Sequence, residues 1–343
     1  MPELLKTALS RHQGPSTKRL VLSVLVAVAI IFVLLLQISP KDLYMLLRSV
    51  DPSWAATGSG AFLLAVLFRA IRFKWLIDSK GSIPLSDLFR ITVFYHMSLM
   101  VLPSKLGEFS LPYLLNKISG ISVPHGLASL VVSRVYDFFI VLMVLVSVSI
   151  GFQGLFKVNL PLVILLIVFL IGFIVLGLLY MSSFLKWFSK TLGKVSDRTG
   201  WGNAKFIPWV QDKIGGVAEG FSAIQTRRTY FPVSLTSLAS WAMIFLTLYA
   251  YMKSFGIDLS LMKMLFGSTI GVIANALPIS GIGNWGTLEA GWAAGFLIVG
   301  LSKEKAIASG FGVHILIFIL CAIVSLLCWA TLRKQKNPSP AAR

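Results

Sequence analysis

Apolar positions run in long unbroken stretches along this chain, and polar residues gather between them. Leu20 to Ile38, Trp54 to about Ile77, Leu127 to Ile150, Leu160 to Met181, Phe231 to Met252 and Ile307 to Leu332 are each mostly apolar. Such runs have the length that a helix needs to cross a bilayer. Their hydrophobicity is continuous rather than alternating, which argues against a closed β-barrel. The pattern predicts an all-α polytopic membrane protein with about six full spans.

Two further apolar segments are broken in the middle. The first, about Pro84 to Lys117, is interrupted at Leu102-Pro-Ser-Lys-Leu-Gly107-Glu108. The second joins Leu261–Ala276 to Ala290–Val299 through a stretch holding Pro278, Gly281, Gly283, Gly286 and Glu289. Pro103 and Pro278 lack a backbone donor, and glycine admits angles that other residues resist. The second helix is predicted to restart near Thr287, with Glu289 in its first turn. Unwound backbone at membrane depth is tolerated only inside protein or along a wet cavity, so the two breaks predict a central site.

The two halves also resemble one another. Ile83-Pro-Leu-Ser-Asp is similar to Ile257-Asp-Leu-Ser-Leu, and Leu127-Ala-Ser to Ile307-Ala-Ser. Leu85 precedes Leu102 by 17 positions and Leu259 precedes Leu277 by 18, while Arg134 and His314 each lie six positions after the matching Ala. This predicts a repeat A of about 54–150 and a repeat B of about 231–332.

Charge sets the orientation. With the N-terminus inside and both hairpins returning to their own side, segments 1–19, 69–90, 182–230 and the tail face inward, holding 4, 5, 8 and 4 Lys or Arg. A hairpin that crossed once would put the eight charges of 182–230 outside, against the positive-inside pattern. The spans before the two hairpins are then the second and fifth crossings and run oppositely. The hairpins are expected to be re-entrant and the repeats inverted. Arg69, Arg72 and Lys74, late in the second span, are expected to snorkel to one interface.

The net charge of +18 then reads as attraction to an anionic leaflet rather than to nucleic acid. Residues 1–19 form a basic cytosolic N-terminus, 20–332 a single transmembrane domain and 333–343 a basic cytosolic tail. Lys186, Lys190 and Lys194 recur every fourth position beside Phe184, Trp187 and Phe188, the pattern of an interfacial amphipathic helix. Ile207, Val210, Ile214, Val217, Phe221 and Ile224 predict a second one, either on the membrane surface or packed on the bundle. Cys321 and Cys328 lie seven apart in one apolar span, read as small buried hydrophobes; no metal-ligand spacing and no cofactor motif is present.

Three motifs together resemble the lysylphosphatidylglycerol synthase transmembrane-region family, also described as flippase-like integral membrane proteins. Pro103-Ser-Lys105-Leu-Gly107-Glu108 is similar to its Pro-x-Arg-x-Gly-Glu signature, and Arg134-Val-Tyr-Asp137 to its Glu-Arg-x-x-Asp element. Pro278-Ile-Ser-Gly281-Ile-Gly283, ending at Glu289, resembles its second Pro/Gly-rich signature. Lys105, Ser133 and Leu111 depart from the usual Arg, Glu and Arg. The resemblance implies movement of lipids or lipid-linked intermediates across a prokaryotic cytoplasmic membrane. The family's enzymes carry a soluble aminoacyl-transferase domain after this region. The chain stops soon after its last span, so it is not expected to be that synthase alone.

The candidate substrate-binding or coupling residues are Pro103, Lys105, Gly107, Glu108, Arg134, Asp137, Pro278, Gly281, Gly283, Glu289 and His314. Glu108 and Glu289 follow helix breaks, where they either cap backbone N–H groups or bind a coupled proton or cation. Lys105 and Arg134 suit a lipid phosphate, although Arg134 and Asp137 are also spaced to pair on one helix. His96 and His314 are either hydrogen-bonded bundle residues or titrating groups. Trp285, Trp292 and Tyr113 sit near the breaks as interfacial aromatics or lining of a path. The expected partner is a phosphate-bearing membrane lipid. The alternatives are an intramembrane lipid-modifying enzyme, for which no nucleophile with an adjacent base is visible, and a scaffold for envelope lipid synthesis.

Overall fold

The computed structural model describes residues 40–77, 83–102, 105–151, 160–199, 206–224, 227–276 and 285–336. The expectations for 1–19, the apolar run 20–38, Pro103, Pro278, Gly281, Gly283 and the end of the tail from 337 lie outside these residues.

Every element among the described residues is helical. The helices are α1 (Pro40–Arg48), α2 (Pro52–Ile77), α3 (Leu85–Val101), a 3₁₀ turn (Leu106–Phe109), α4 (Ser110–Ser119), α5 (Val123–Gly151), α6 (Leu160–Thr199), α7 (Phe206–Ile224), α8 (Arg227–Ser254), α9 (Leu261–Ala276), α10 (Thr287–Ile298) and α11 (Lys303–Lys336). Val123–Gly151, Thr229–Ser254 and Lys303–Thr331 are each long and apolar enough to cross a membrane. With the buried polar clusters described below, they make this a multi-pass membrane protein.

Local sequence explains where the elements begin and end. Asp51 precedes Pro52, which needs no N–H partner at the first helical position, and its Oδ1 accepts from the N–H groups of Ser53 (2.8 Å) and Trp54 (3.2 Å). Gly120 takes a positive φ of 69° to end α4.

α2 and α8 form the central pair and run antiparallel. Asp51 N–H bonds Ser254 O at 2.8 Å, Ser59 meets the Tyr251 hydroxyl at 3.1 Å, and Arg72 donates to Ser237 at 3.2 Å. Gly58 permits this closeness, because a Cβ there would lie 2.7 Å from the Tyr251 ring. Around the pair the packing is reciprocal. α5 lies on α9, and α11 lies on α3; α4 packs on α5, and α10 on α11. Within the second hairpin α9 and α10 are antiparallel, with Gly267 against Phe296 and Gly271 against Trp292. The largest buried cluster joins α5, α8, α9, α10 and α11 through Trp241, Phe245, Tyr251, Phe266, Trp292, Phe296 and Phe311.

Two sequence expectations change, and one open alternative is decided. The apolar run 160–181 and the Lys-rich helix after it are one continuous helix, α6, because no Pro or Gly pair separates them and the register carries through. α7 is packed on the bundle: Ala218 and Phe221 are buried, and Gly220 sits against Ala128 of α5. Arg72 does not snorkel. It is buried in the α2–α8 interface, held there by a carboxylate.

Candidate functional site

The first break is shaped by three residues. Leu102 leaves α3 extended (φ −82°, ψ 142°). Lys105 then adopts a left-handed conformation at φ 60°, an uncommon one for a side chain with a Cβ, and one that clusters at functional sites. Gly107 is required by contact: a Cβ there would sit 2.7 Å from the backbone of Ser98 and Leu99, so only glycine lets the turn lie against α3.

This geometry aims Glu108 at α5. Arg134 Nη2 reaches its two carboxylate oxygens at 2.6 and 2.7 Å, and Arg134 Nε reaches one at 3.1 Å. Tyr95 of α3 donates its hydroxyl to the same carboxylate at 2.6 Å and in turn accepts from Arg134. The carboxylate is thus held by side chains, not used as a cap for its own helix. Charge-assisted, forked bonding of this kind fixes orientation as well as contributing energy.

A second pair continues the network into the α2–α8 interface. Asp137 receives both terminal nitrogens of Arg72, at 2.6 and 3.3 Å, and the indole N–H of Trp241 at 2.9 Å. The expected pairing of Arg134 with Asp137 is the weakest of these contacts, at 3.5 Å. Spacing on one helix allowed that pair, but Arg72 and Glu108 approach from other helices with better geometry. Such a buried pair loses far more when one partner is removed than its net worth, because the survivor stays charged in an apolar interior.

Arg69, one turn before Arg72, bonds only neutral groups among the described residues. Its Nη1 lies 2.5 Å from His96 Nε2, its Nε donates to Ser240 at 3.2 Å, and the guanidinium stands 5.8 Å over the Trp241 ring. His96 Nδ1 lies 2.8 Å from the Thr92 carbonyl, which can only accept. The proton is therefore on Nδ1, and Nε2 accepts from Arg69.

The second break repeats the plan with different chemistry. Gly286 takes φ 88°, where a Cβ is disfavoured, and α10 restarts at Thr287 as expected. Glu289 Oε2 accepts from Gly286 N–H at 2.7 Å, closing the first turn, while Oε1 accepts from His314 Nδ1 at 2.6 Å. Glu289 is fully buried, and the Trp285 ring stacks on His314 at 4.0 Å and 12°. Here capping and pairing coexist in one carboxylate.

The two breaks also touch. The Lys105 ammonium donates to the carbonyl of Asn275 in the last turn of α9, where a cation suits the unsatisfied carbonyls of a helix end. Lys105, Gly107, Glu108, Arg134 and Asp137 thus form one cluster that reaches α9, and Glu289 with His314 forms a second at the other break. Trp292 is buried against Ser309 and Phe296, whereas Tyr113 is exposed. Cys321 and Cys328 are free and buried, and no group of three metal-ligating side chains occurs among the described residues.

Arg69, Arg72, Tyr95 and Trp241 were missed in the sequence reading. A signal existed: Arg69 and Arg72 are three apart on one stripe of an apolar helix, and Ser237 and Ser240 are three apart on another. What no sequence shows is that the two stripes face each other.

The profile of the lysylphosphatidylglycerol synthase TM region matches residues 20–325. No curated protein and no solved structure matches the chain. The match covers both breaks, the α5 charges and most of α11, and on that extent the chain belongs to the lysylphosphatidylglycerol synthase transmembrane-region family.

Proposed function

We propose that the protein is a lipid translocase that moves an anionic phospholipid, or a lipid-linked intermediate, across the cytoplasmic membrane by alternating access. The observation that carries this reading is the reciprocal construction around two broken hairpins. The helix that follows each hairpin packs on the first arm of the other, and supplies the partner for its own hairpin's carboxylate. Each hairpin arm is also short for a bilayer. At about 1.5 Å per residue, the 16 residues of α9 and 12 of α10 reach about 24 and 18 Å, against a hydrocarbon core of about 30 Å.

In this reading the two hairpins are re-entrant inverted repeats that open from opposite sides, with both termini cytosolic. The Lys105–Asn275 contact is where they meet. The charged network supplies a polar path at a depth where headgroups otherwise meet only hydrocarbon. Glu289 and Glu108 are its coupling groups, biasing one arrangement against the other when their partners change.

The test is reconstitution of the purified protein in liposomes with a labelled anionic lipid or polyprenyl-phosphate lipid in one leaflet. Redistribution of the label with unchanged lipid mass is expected. A covalently altered lipid in the mass spectrum would place the protein among lipid-modifying enzymes instead.

A further inference from the structure

The two break carboxylates are held by partners of different kinds. Glu108 is held by Arg134, a guanidinium that keeps its charge at every working pH. Glu289 is held by His314, an imidazole, the side-chain type that ordinarily changes charge between about pH 5 and 8.

Proton counting shows what the second pair can carry. His314 Nδ1 lies 2.6 Å from Glu289 Oε1, a contact that needs one proton between the two atoms. With that proton alone the pair bears one negative charge, although its side chains are only 3% and 0% exposed. Among the described residues the carboxylate's other donor is Gly286 N–H, and His314 Nε2 makes no hydrogen bond. A second proton on Nε2 makes the pair a neutral imidazolium–carboxylate. The Trp285 ring, stacked on the imidazole at 4.0 Å and 12°, presents a π face that suits the imidazolium.

Charges on the surrounding helices are engaged elsewhere. Glu289 is the one charged residue of α10, and Lys263 that of α9, about three turns from Asn275 at the break. On α11 the preceding charges, Lys303, Glu304 and Lys305, lie nine or more residues before His314. α1 approaches Gly312 with Leu46, while its Lys41 and Arg48 are exposed. On α3, Asp87 pairs with Arg90 and His96 bonds Arg69; on α8, Lys253 pairs with Asp258. Arg134 and Asp137 of α5 belong to the first cluster, and Lys105 donates to the Asn275 carbonyl. Among the described residues none of these forms an ion pair with Glu289 or His314.

We propose that the Glu289–His314 pair is a proton-binding site, and that the ion coupled to lipid movement is a proton carried on His314 Nε2. The proposal rests on the translocase reading and names its coupling ion. A proton from water on one side bonds to the Nε2 lone pair, and the same N–H bond later breaks to water on the other side. The Nδ1–Glu289 hydrogen bond persists throughout, so no other group is consumed. Coupling requires two arrangements that differ in proton affinity. Burial supplies the difference: a dry arrangement disfavours the pair that bears a net charge, and a wet one tolerates it. The Glu108–Arg134 pair is already balanced and its guanidinium has no proton to release, so it carries no ion.

The test begins with the full-length protein in detergent, isotope-labelled at its four histidines. Ring-nitrogen NMR across about pH 5 to 8 is expected to show Nε2 of His314 passing from bare to protonated, its signal assigned by loss in His314→Gln. A ring that keeps one state across this range overturns the proposal. The protein is then placed in phosphatidylcholine vesicles with trace labelled phosphatidylglycerol, the membrane potential clamped and a pH gradient imposed. The label should move toward about a tenfold leaflet ratio per pH unit, the value for one proton per lipid, and should reverse with the gradient. Lipid movement indifferent to the gradient overturns the proposal. His314→Gln still offers Glu289 an N–H but takes no second proton, so a retained gradient response in it has the same force. Should that variant not fold, His12→Gln, His96→Gln and His125→Gln assign the ring by elimination, and the wild-type gradient response decides. A His314 ring that titrates in a protein moving no lipid would sink the translocase reading and leave the proton site standing.

Discussion

An amide in place of Glu289 can keep one of its two accepted hydrogen bonds but not its charge. In Glu289→Gln the amide oxygen can accept from Gly286 N–H or His314 Nδ1–H, so the restart of α10 is preserved in shape. The charge is gone. Transport is therefore expected to collapse while expression and Tm barely change, and Glu289→Ala, which also removes the cap, should cost about a further 1 kcal/mol of stability. Glu108→Gln tests the contrast. Its partner Arg134 is charged at every working pH and its side chain is 40% exposed, so water can compensate part of the loss and the effect on transport should be weaker. Flux and thermal melts of the three variants decide the matter. Near-normal flux in Glu289→Gln would reduce that residue to architecture.

At the scale of elements, the second hairpin depends on glycine because α9 and α10 are nearly in backbone contact. A Cβ at Gly295 would lie 2.4 Å from the Gly267 carbonyl, and one at Gly291 would lie 2.1 Å from Ala274 Cβ. Neither neighbour is the far end of a flexible side chain, so the helices themselves must part. Gly295→Ala should destabilise by about 1–3 kcal/mol, the usual cost of overpacking, and should loosen the break that the hairpin holds. Gly60→Ala is the matched control. Nothing lies within 4 Å of a Cβ there, and helix propensity alone should make it neutral or stabilising by up to about 1 kcal/mol. Thermal melts of both variants in the same detergent separate packing from propensity. Equal Tm values in the two would show that the hairpin arms are not in fact close.

For the whole molecule, the antiparallel α2–α8 pair ties topology to mechanism. Asp51 lies beside Ser254 at one end of the pair, while Met181 and Leu185 of α6 pack against the buried cluster that includes Ile77, at the other end. Single cysteines placed at the exposed positions Asp51, Lys186 and Lys303 report on the two sides, since the native Cys321 and Cys328 are buried. In intact cells an impermeant thiol reagent is expected to label Asp51→Cys and Lys303→Cys and to spare Lys186→Cys. External labelling at Lys186→Cys would reverse the orientation. Labelling at all three positions would break the assignment of the two ends to opposite faces.

The sequence by itself determined the helical class and the two breaks. Hydrophobic run length, proline and glycine act locally, so they are legible one segment at a time. The spacing matched Arg134 with His314 by position alone; that each meets a break carboxylate, Glu108–Arg134 and Glu289–His314, only the fold shows. Tertiary structure decided the rest. Periodicity told that Arg134 and Asp137 share a helix face, but the partner of each was set by residues on other helices, Glu108 and Arg72. Arg69 and Arg72 read as interfacial because a single helix cannot show what it faces. Only the approach of α8, with Ser237, Ser240 and Trp241, makes that face an interior one, where Arg72 joins Asp137 in a buried ion pair and Arg69 bonds His96 and Ser240.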